Sequence, residues 1–218
     1  IFVLAFYSFN SSQIVGKWSG FSLRWYGDFL ENENIQESIW ISVKVCIAST
    51  LISVVLGTLA ALSIERFRWW GQKAFDAVLY LPIIIPDVTM AVMMMVFFGE
   101  AAELFNAIPG VDLTQGVEKL VLSHVAFNIS FVSVVVRARL ANLDATMEEA
   151  AADLYANGWQ TFRHVTLPLI MPGVLGGALL AITLSLDDVV VSSFVSAVGA
   201  TPVSVYVFGM LRKGVSPL

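Results

Sequence analysis

Residues 141–168 read ANLDATMEEAAADLYANGWQTFRHVTLP, a stretch too polar to cross a bilayer and too regular in pattern to be an unstructured loop. Leu143, Met147, Ala150 or Ala151, and Leu154 recur at helical spacing, which predicts a short amphipathic helix with one small, apolar face. Thr146, followed three positions later by Glu149, fits a capping box at its start, in which each side chain satisfies the other's backbone N–H. The run from Gln160 to Thr166 is expected as a second short helix, the two together making a knob. Long apolar runs lie on either side, Leu120 to Val136 before and Leu169 to Val198 after. The segment is therefore expected as a helical connection between two membrane spans.

The same alternation continues through the rest of the chain. Ile39 to Ile64 and Ala77 to Phe98 are two further candidate spans, and Ile1 to Phe9, only about 13 Å long as a helix, is expected to be the tail of another. With 57% hydrophobic and 13% charged residues in 218, the composition excludes an ordinary soluble domain. A hydrocarbon core of about 30 Å calls for roughly 20 apolar residues per helix. The expected fold is all-α, a polytopic transmembrane bundle forming one domain over residues 1–218 with five spans, a sixth being expected beyond Leu218. Short alternating strands, the mark of a barrel, are missing. Cys46 is the single cysteine, which rules out an intrachain disulfide. A net charge of −5 argues against a nucleic-acid partner.

Lys and Arg placement orients the spans. Arg66, Arg68 and Lys73 lie in one connection and Arg137, Arg139 and Arg163 in another, which puts both on the cytoplasmic side. The alternate connections are net acidic: Asp28, Glu31, Glu33 and Glu37 in the first, Glu100, Glu103, Asp112 and Glu118 in the second. Trp18, Trp25, Tyr26, Trp69 and Trp70 are expected as interfacial anchors.

Three carboxylates fall inside spans, where each costs about 2.5 to 3.5 kcal/mol unless it has a partner, a wet cavity or a function. Asp87 follows Pro82 and Pro86, which remove backbone donors and should break or kink the third span. On a continuous fifth helix, Ser185, Asp188, Ser192 and Ser196 share one face, with Asp187 turned away by about 100°. Asp188 thus has the better claim to line a polar path. Spaced carboxylates with apolar or aromatic walls between them suit a polyamine, whose ammonium groups are separated by methylenes. The alternative is that these carboxylates cap helix breaks or pair with Lys44 and His124. No G-x-x-x-x-G-K-[ST] loop, metal-spacing cluster or nucleophile set occurs, so the chain is not expected to be an enzyme or to bind ATP, a metal or another cofactor itself.

Glu149, Ala150, Ala151, Leu167 and Pro168, with their spacing, resemble the EAA signature of bacterial ABC importer permeases. Across nearly the whole chain the closest likeness is to the spermidine/putrescine permeases: SFNSS at Ser8 to Ser12, RWY at Arg24 to Tyr26, Pro86 with Asp87, SLDDVVVSSFV at Ser185 to Val195, and GVSP at Gly214 to Pro217. The resemblance implies the type I importer permease fold and a multi-pass place in the bacterial inner membrane. It also implies a coupling helix in 141–168 that docks into a cytoplasmic ATPase dimer, where ATP and Mg are bound. Glu149, Ala150, Ala151, Asp153, Leu154, Tyr155 and Gly158 are the implied docking residues. Asp87, Ser185, Asp187, Asp188 and Ser192 are the candidate pathway residues. Further implied partners are a second, homologous permease, an extracytoplasmic substrate-binding protein, a polyamine and membrane lipid. An importer of another polar or cationic solute, and a secondary transporter working without ATP, remain open as alternatives.

One position departs from the family pattern. Tyr155 stands where the family has Gly, and the nearest Gly follows at Gly158. Either the turn stays at Tyr155 in a strained backbone, or it moves to Asn157 and Gly158 and lengthens the helix. Local turn chemistry favours the second.

Overall fold

Eleven helices and one π turn follow from this pattern among residues 2–12, 17–106, 116–144, 146–197 and 199–213, which the computed structural model describes. Asp112 and the GVSP motif at Gly214 to Pro217 lie outside the described residues. The short α1 (Phe2–Tyr7) and α2 (Arg24–Glu31) flank an outer loop. Then come α3 (Glu33–Arg66), α4 (Gln72–Ile84), α5 (Asp87–Asn106) and α6 (Val117–Leu140). Next, α7 (Thr146–Asp153) precedes α8 (Gly158–Thr161), the π turn Phe162–Thr166 and α9 (Leu167–Asp187). The chain continues through α10 (Val190–Val195) and α11 (Val203–Lys213).

Among the described residues, α3, α6 and the continuous run Gly158–Asp187 are each long and apolar enough to cross a bilayer alone. The expected third span is not one straight helix: α4 and α5 are long and apolar enough only as a pair, bent by 112° at the break between them. The break falls at Ile85 and Pro86 and follows from Pro86 alone, since Pro82 lies inside α4: Pro86 has no N–H to continue α4 and disfavours helical backbone at Ile85, whose ψ is 132°.

Small residues set how closely the three long helices approach. A Cβ added at Gly57 of α3 would lie 2.8 Å from Val132 Cβ of α6, and one at Gly177 of α9 would lie 3.2 Å from Val132 Cγ1. Helices in lipid gain little from apolar burial against one another, so this close backbone approach does much of the packing. Around it, Ala61, Val136, Leu140, Ile170 and Val174 form one core cluster. Ile41, Val45, Met90, Phe127, Val191 and Val195 form a second, which holds α5 and α10 against α3 and α6.

Three expectations change. The fifth span does not run unbroken to Val198: α9 ends at Asp187, Asp188 is extended with ψ 117°, and α10 begins at Val190. An apolar helix, α11, occupies residues left unassigned after that span, with its Val203 N–H on Ser42 Oγ of α3. Trp25 is buried, donating through Nε1 to Asn10 O at 2.7 Å, and so pins the outer loop rather than anchoring at a lipid interface.

Candidate functional site

The breaks at Pro86 and Asp188 face one space. A cavity of about 770 Å³ is lined by Asp87, Asp187 and Asp188 together with Pro82, Met90, Phe127, Phe131 and Leu184. Asp87 is the first residue of α5 and exposed, where the positive end of the helix dipole favours a carboxylate. Asp187, the last residue of α9, is exposed as well. The structure thus gathers all three carboxylates at one cavity, Asp87 from the break between α4 and α5 and Asp187 and Asp188 from the end of α9, with two aromatic rings and a methionine in its wall.

The three do not have the same freedom. Asp188 Oδ1 accepts the Val191 N–H at 3.1 Å and Oδ2 accepts the Ser192 N–H at 2.7 Å, which makes Asp188 the cap of α10. His124 Nε2, on a side chain 1% exposed, lies 3.5 Å from the same Oδ2. A carboxylate has about four lone-pair directions, and protein groups occupy most of those on Asp188. The capping-and-pairing alternative raised from the sequence therefore describes Asp188. The helix break turns Asp187, not Asp188, into the open member of the pair, because the chain is no longer helical between them and Ser192.

Ser185 and Ser192 are buried and do not line the cavity. Ser185 Oγ accepts from Asn128 Nδ2 at 2.9 Å and lies 3.2 Å from Ser49 Oγ. Ser192 Oγ lies 3.2 Å from His124 Nε2. Both belong to a polar seam where α3, α6 and the fifth span meet, and they hold the wall from behind. Asn128 and His124 were not singled out as parts of this seam by sequence reasoning. Their sign was there, polar side chains at i and i+4 inside an apolar run.

Between α6 and α8 lies α7, which contains no buried residue. Its start differs from the expected capping box: Thr146 lies within the helix, and Asp144 Oδ1 accepts its N–H at 3.0 Å. That bond and the Thr146 hydroxyl hold the Asp144 carboxyl below its usual range. Its end differs too. Tyr155 has φ +59°, its N–H bonds Ala152 O at 2.9 Å, and the Ala156 N–H reaches Ala151 O at 3.1 Å. This is a Schellman ending with tyrosine in the left-handed position normally given to glycine. The favoured shift of the turn to Gly158 is thus overturned, because Asn157 is already used in the opposite sense. It caps α8, with Asn157 Oδ1 accepting the Gln160 N–H and Gln160 Oε1 accepting the Asn157 N–H, both at 2.9 Å. The expected second short helix is also not separate, since α8, the π turn and α9 run as one 30-residue helix. The π turn precedes Pro168, whose ring would otherwise meet the carbonyl of the preceding turn.

Glu149, Ala150, Asp153, Leu154, Tyr155 and Gly158 are exposed, and Ala151 is half-buried above a small groove shared with Gln160, His164 and Val165. The residue sequence reasoning missed is Glu148. Its Oε1 accepts Arg66 Nη2 at 2.8 Å and the Thr166 hydroxyl at 2.7 Å.

The family model for the binding-protein-dependent transport system inner membrane component matches residues 53–213. The chain is 40% identical over 216 residues to the putrescine transport system permease protein PotI of Escherichia coli (strain K12), covering 99% of this chain and 75% of PotI. It is 35% identical over 217 residues to the spermidine/putrescine transport system permease protein PotC of the same strain, covering 100% of this chain and 78% of PotC. In fold it is similar to a chain of a bacterial ABC transporter involved in the import of the acidic polysaccharide alginate, with a TM-score of 0.72 at 21% identity, covering 93% of this chain and 76% of that one.

Proposed function

This chain belongs to the family of binding-protein-dependent transport system inner membrane components, and from that premise we propose that it forms the polyamine path of an ATP-driven importer. The observation that carries the substrate reading is the cavity in which Asp87 and Asp187 stand open, with Phe127, Phe131 and Met90 in its wall. A diamine has a positive charge at each end and an apolar middle. Two carboxylates on separately hinged helices offer an acceptor to each ammonium, and the aromatic and thioether surfaces cover the methylenes between them. The names of PotI and PotC agree with this chemistry.

Transport then follows from the two breaks. Asp87 begins α5 beyond the Pro86 break, and Asp187 ends α9 before the Asp188 break, so a rigid-body movement of either helix changes the spacing of the acceptors. Energy enters at α7, whose exposed Glu149, Ala150 and Asp153 suit docking on an ATPase dimer that binds ATP and Mg. A second permease completes the path, and an extracytoplasmic binding protein delivers the substrate.

Competition tests the reading. Labelled putrescine uptake by the reconstituted importer should be inhibited by unlabelled diamines and far less by a monoamine of equal length. Asp87→Asn or Asp187→Asn should raise the half-saturating concentration about tenfold or more, the scale of one lost charge-assisted bond. Equal inhibition by the monoamine, or unchanged saturation in both variants, would overturn it.

A further inference from the structure

We propose that a chain of ion pairs across the cytoplasmic face ties α7 to the broken span that carries Asp87, making Glu148, Arg66 and Arg137 positioning residues for transport. The inference rests on the reading of α7 as the ATPase-docking helix. The ion-pair chain consists of two sets of close contacts joined through the backbone of α3, where Arg66 and Glu65 are adjacent. Thr166 of the π turn and Arg66 at the end of α3 both donate to Glu148 Oε1, at 2.7 and 2.8 Å. The neighbouring Glu65 accepts Arg137 Nε of α6 at 2.8 Å. Arg137 Nη1 continues to Asp76 and to Tyr80 Oη at 3.4 Å, one turn apart on α4. Beyond α4 come Pro86 and Asp87.

The two ends of this chain are the elements that core packing does not fix. Neither α7 nor α4 contains a buried residue, whereas α3 and α6, which carry the middle links, are core helices. Among the described residues, every side-chain hydrogen bond or ion pair from α7 to another helix runs through Glu148. Part-exposed ion pairs add little to stability one at a time. Here they join two weakly packed helices to one frame, so a push on α7 has a polar route to α4 and thence to the hinge at Pro86. The residues are distinct from Glu149, Ala150 and Ala151, on which the docking reading stands.

The test is the complete importer in proteoliposomes, with uptake measured per ATP hydrolysed. Glu148→Gln and Arg66→Gln cut the same link from opposite sides. Each should keep the ATPase bound and lower uptake per ATP by at least about fivefold, the lower end of ordinary coupling free energies. The double variant should lose no more than either single one, and Arg66→Lys should restore most of the ratio. A wild-type ratio in either single variant, additive losses in the double, or detachment of the ATPase in both singles would overturn the inference, the last by making the pair a mere assembly contact. A wild-type chain that binds no ATPase would instead refute the docking reading on which it rests.

Discussion

Replacing Tyr155 with glycine should stabilise the end of α7. Tyr155 sits at φ +59° and is 97% exposed, so its side chain gains almost nothing from packing in return for its backbone conformation. Left-handed backbone costs a non-glycine residue about 1–2 kcal/mol. Glycine removes that cost but loses about 0.5–1 kcal/mol through the greater freedom of the unfolded turn. The net gain is therefore about 0.7 kcal/mol, or roughly threefold in the opening equilibrium. Amide exchange at Ala156 reads it directly, because that N–H is held by Ala151 O across the turn. Tyr155→Gly should slow its exchange about threefold, and Tyr155→Val, β-branched at positive φ, should speed it. Unchanged or faster exchange in the glycine variant would show that the turn is not strained and that the backbone argument is wrong.

Gly57→Ala should lower the thermal unfolding temperature in detergent, since its Cβ would lie 2.8 Å from Val132 Cβ and 3.0 Å from Ile129 O. The cost is about 1–3 kcal/mol of overpacking, and an unchanged unfolding temperature would show that α3 and α6 are not in such close contact there. Asp188→Asn should reduce thermal stability, because it weakens the cap of α10, whereas Asp187→Asn should leave stability unchanged and act on substrate saturation alone. Asp144 gives a pH dependence of known sign. Its folded carboxyl titrates below the ordinary range, so its support of α7 is complete above the unfolded value and is lost as pH falls through the lowered folded one. Exchange at the Thr146 N–H should accelerate beyond its intrinsic pH trend in that acid window, and Asp144→Asn should abolish the excess.

Much of this architecture could be read from local signals. The spans follow from apolar runs of sufficient length, and the break in the third follows from Pro86, whose missing N–H acts whatever surrounds it. The break at Asp188 left no such mark. Val189, Val190 and Val191 continue an apolar run with neither Gly nor Pro, and the break is held by tertiary contacts to His124 and by the cap Asp188 makes on α10. A helical wheel drawn through it put Asp188 on the open face, where the structure puts Asp187. At α7 the reading failed for the opposite reason: Asn157 and Gly158 carry strong turn chemistry, but Asn157 spends it on starting α8 rather than ending α7. Glu148 was passed over beside Glu149 because its partners, Arg66 and Thr166, are 82 and 18 residues away. Arg66 and Arg137 were legible as charges between spans but not as links between helices.

The most direct test of the whole account is accumulation of labelled putrescine in proteoliposomes containing this chain, its partner permease, the ATPase and the binding protein, with ATP supplied on the ATPase side and ion gradients collapsed. The account predicts accumulation that requires ATP and stops when the ATPase is omitted. Accumulation that persists without ATP and follows an imposed proton or sodium gradient would contradict it and place the three carboxylates in a secondary transporter instead.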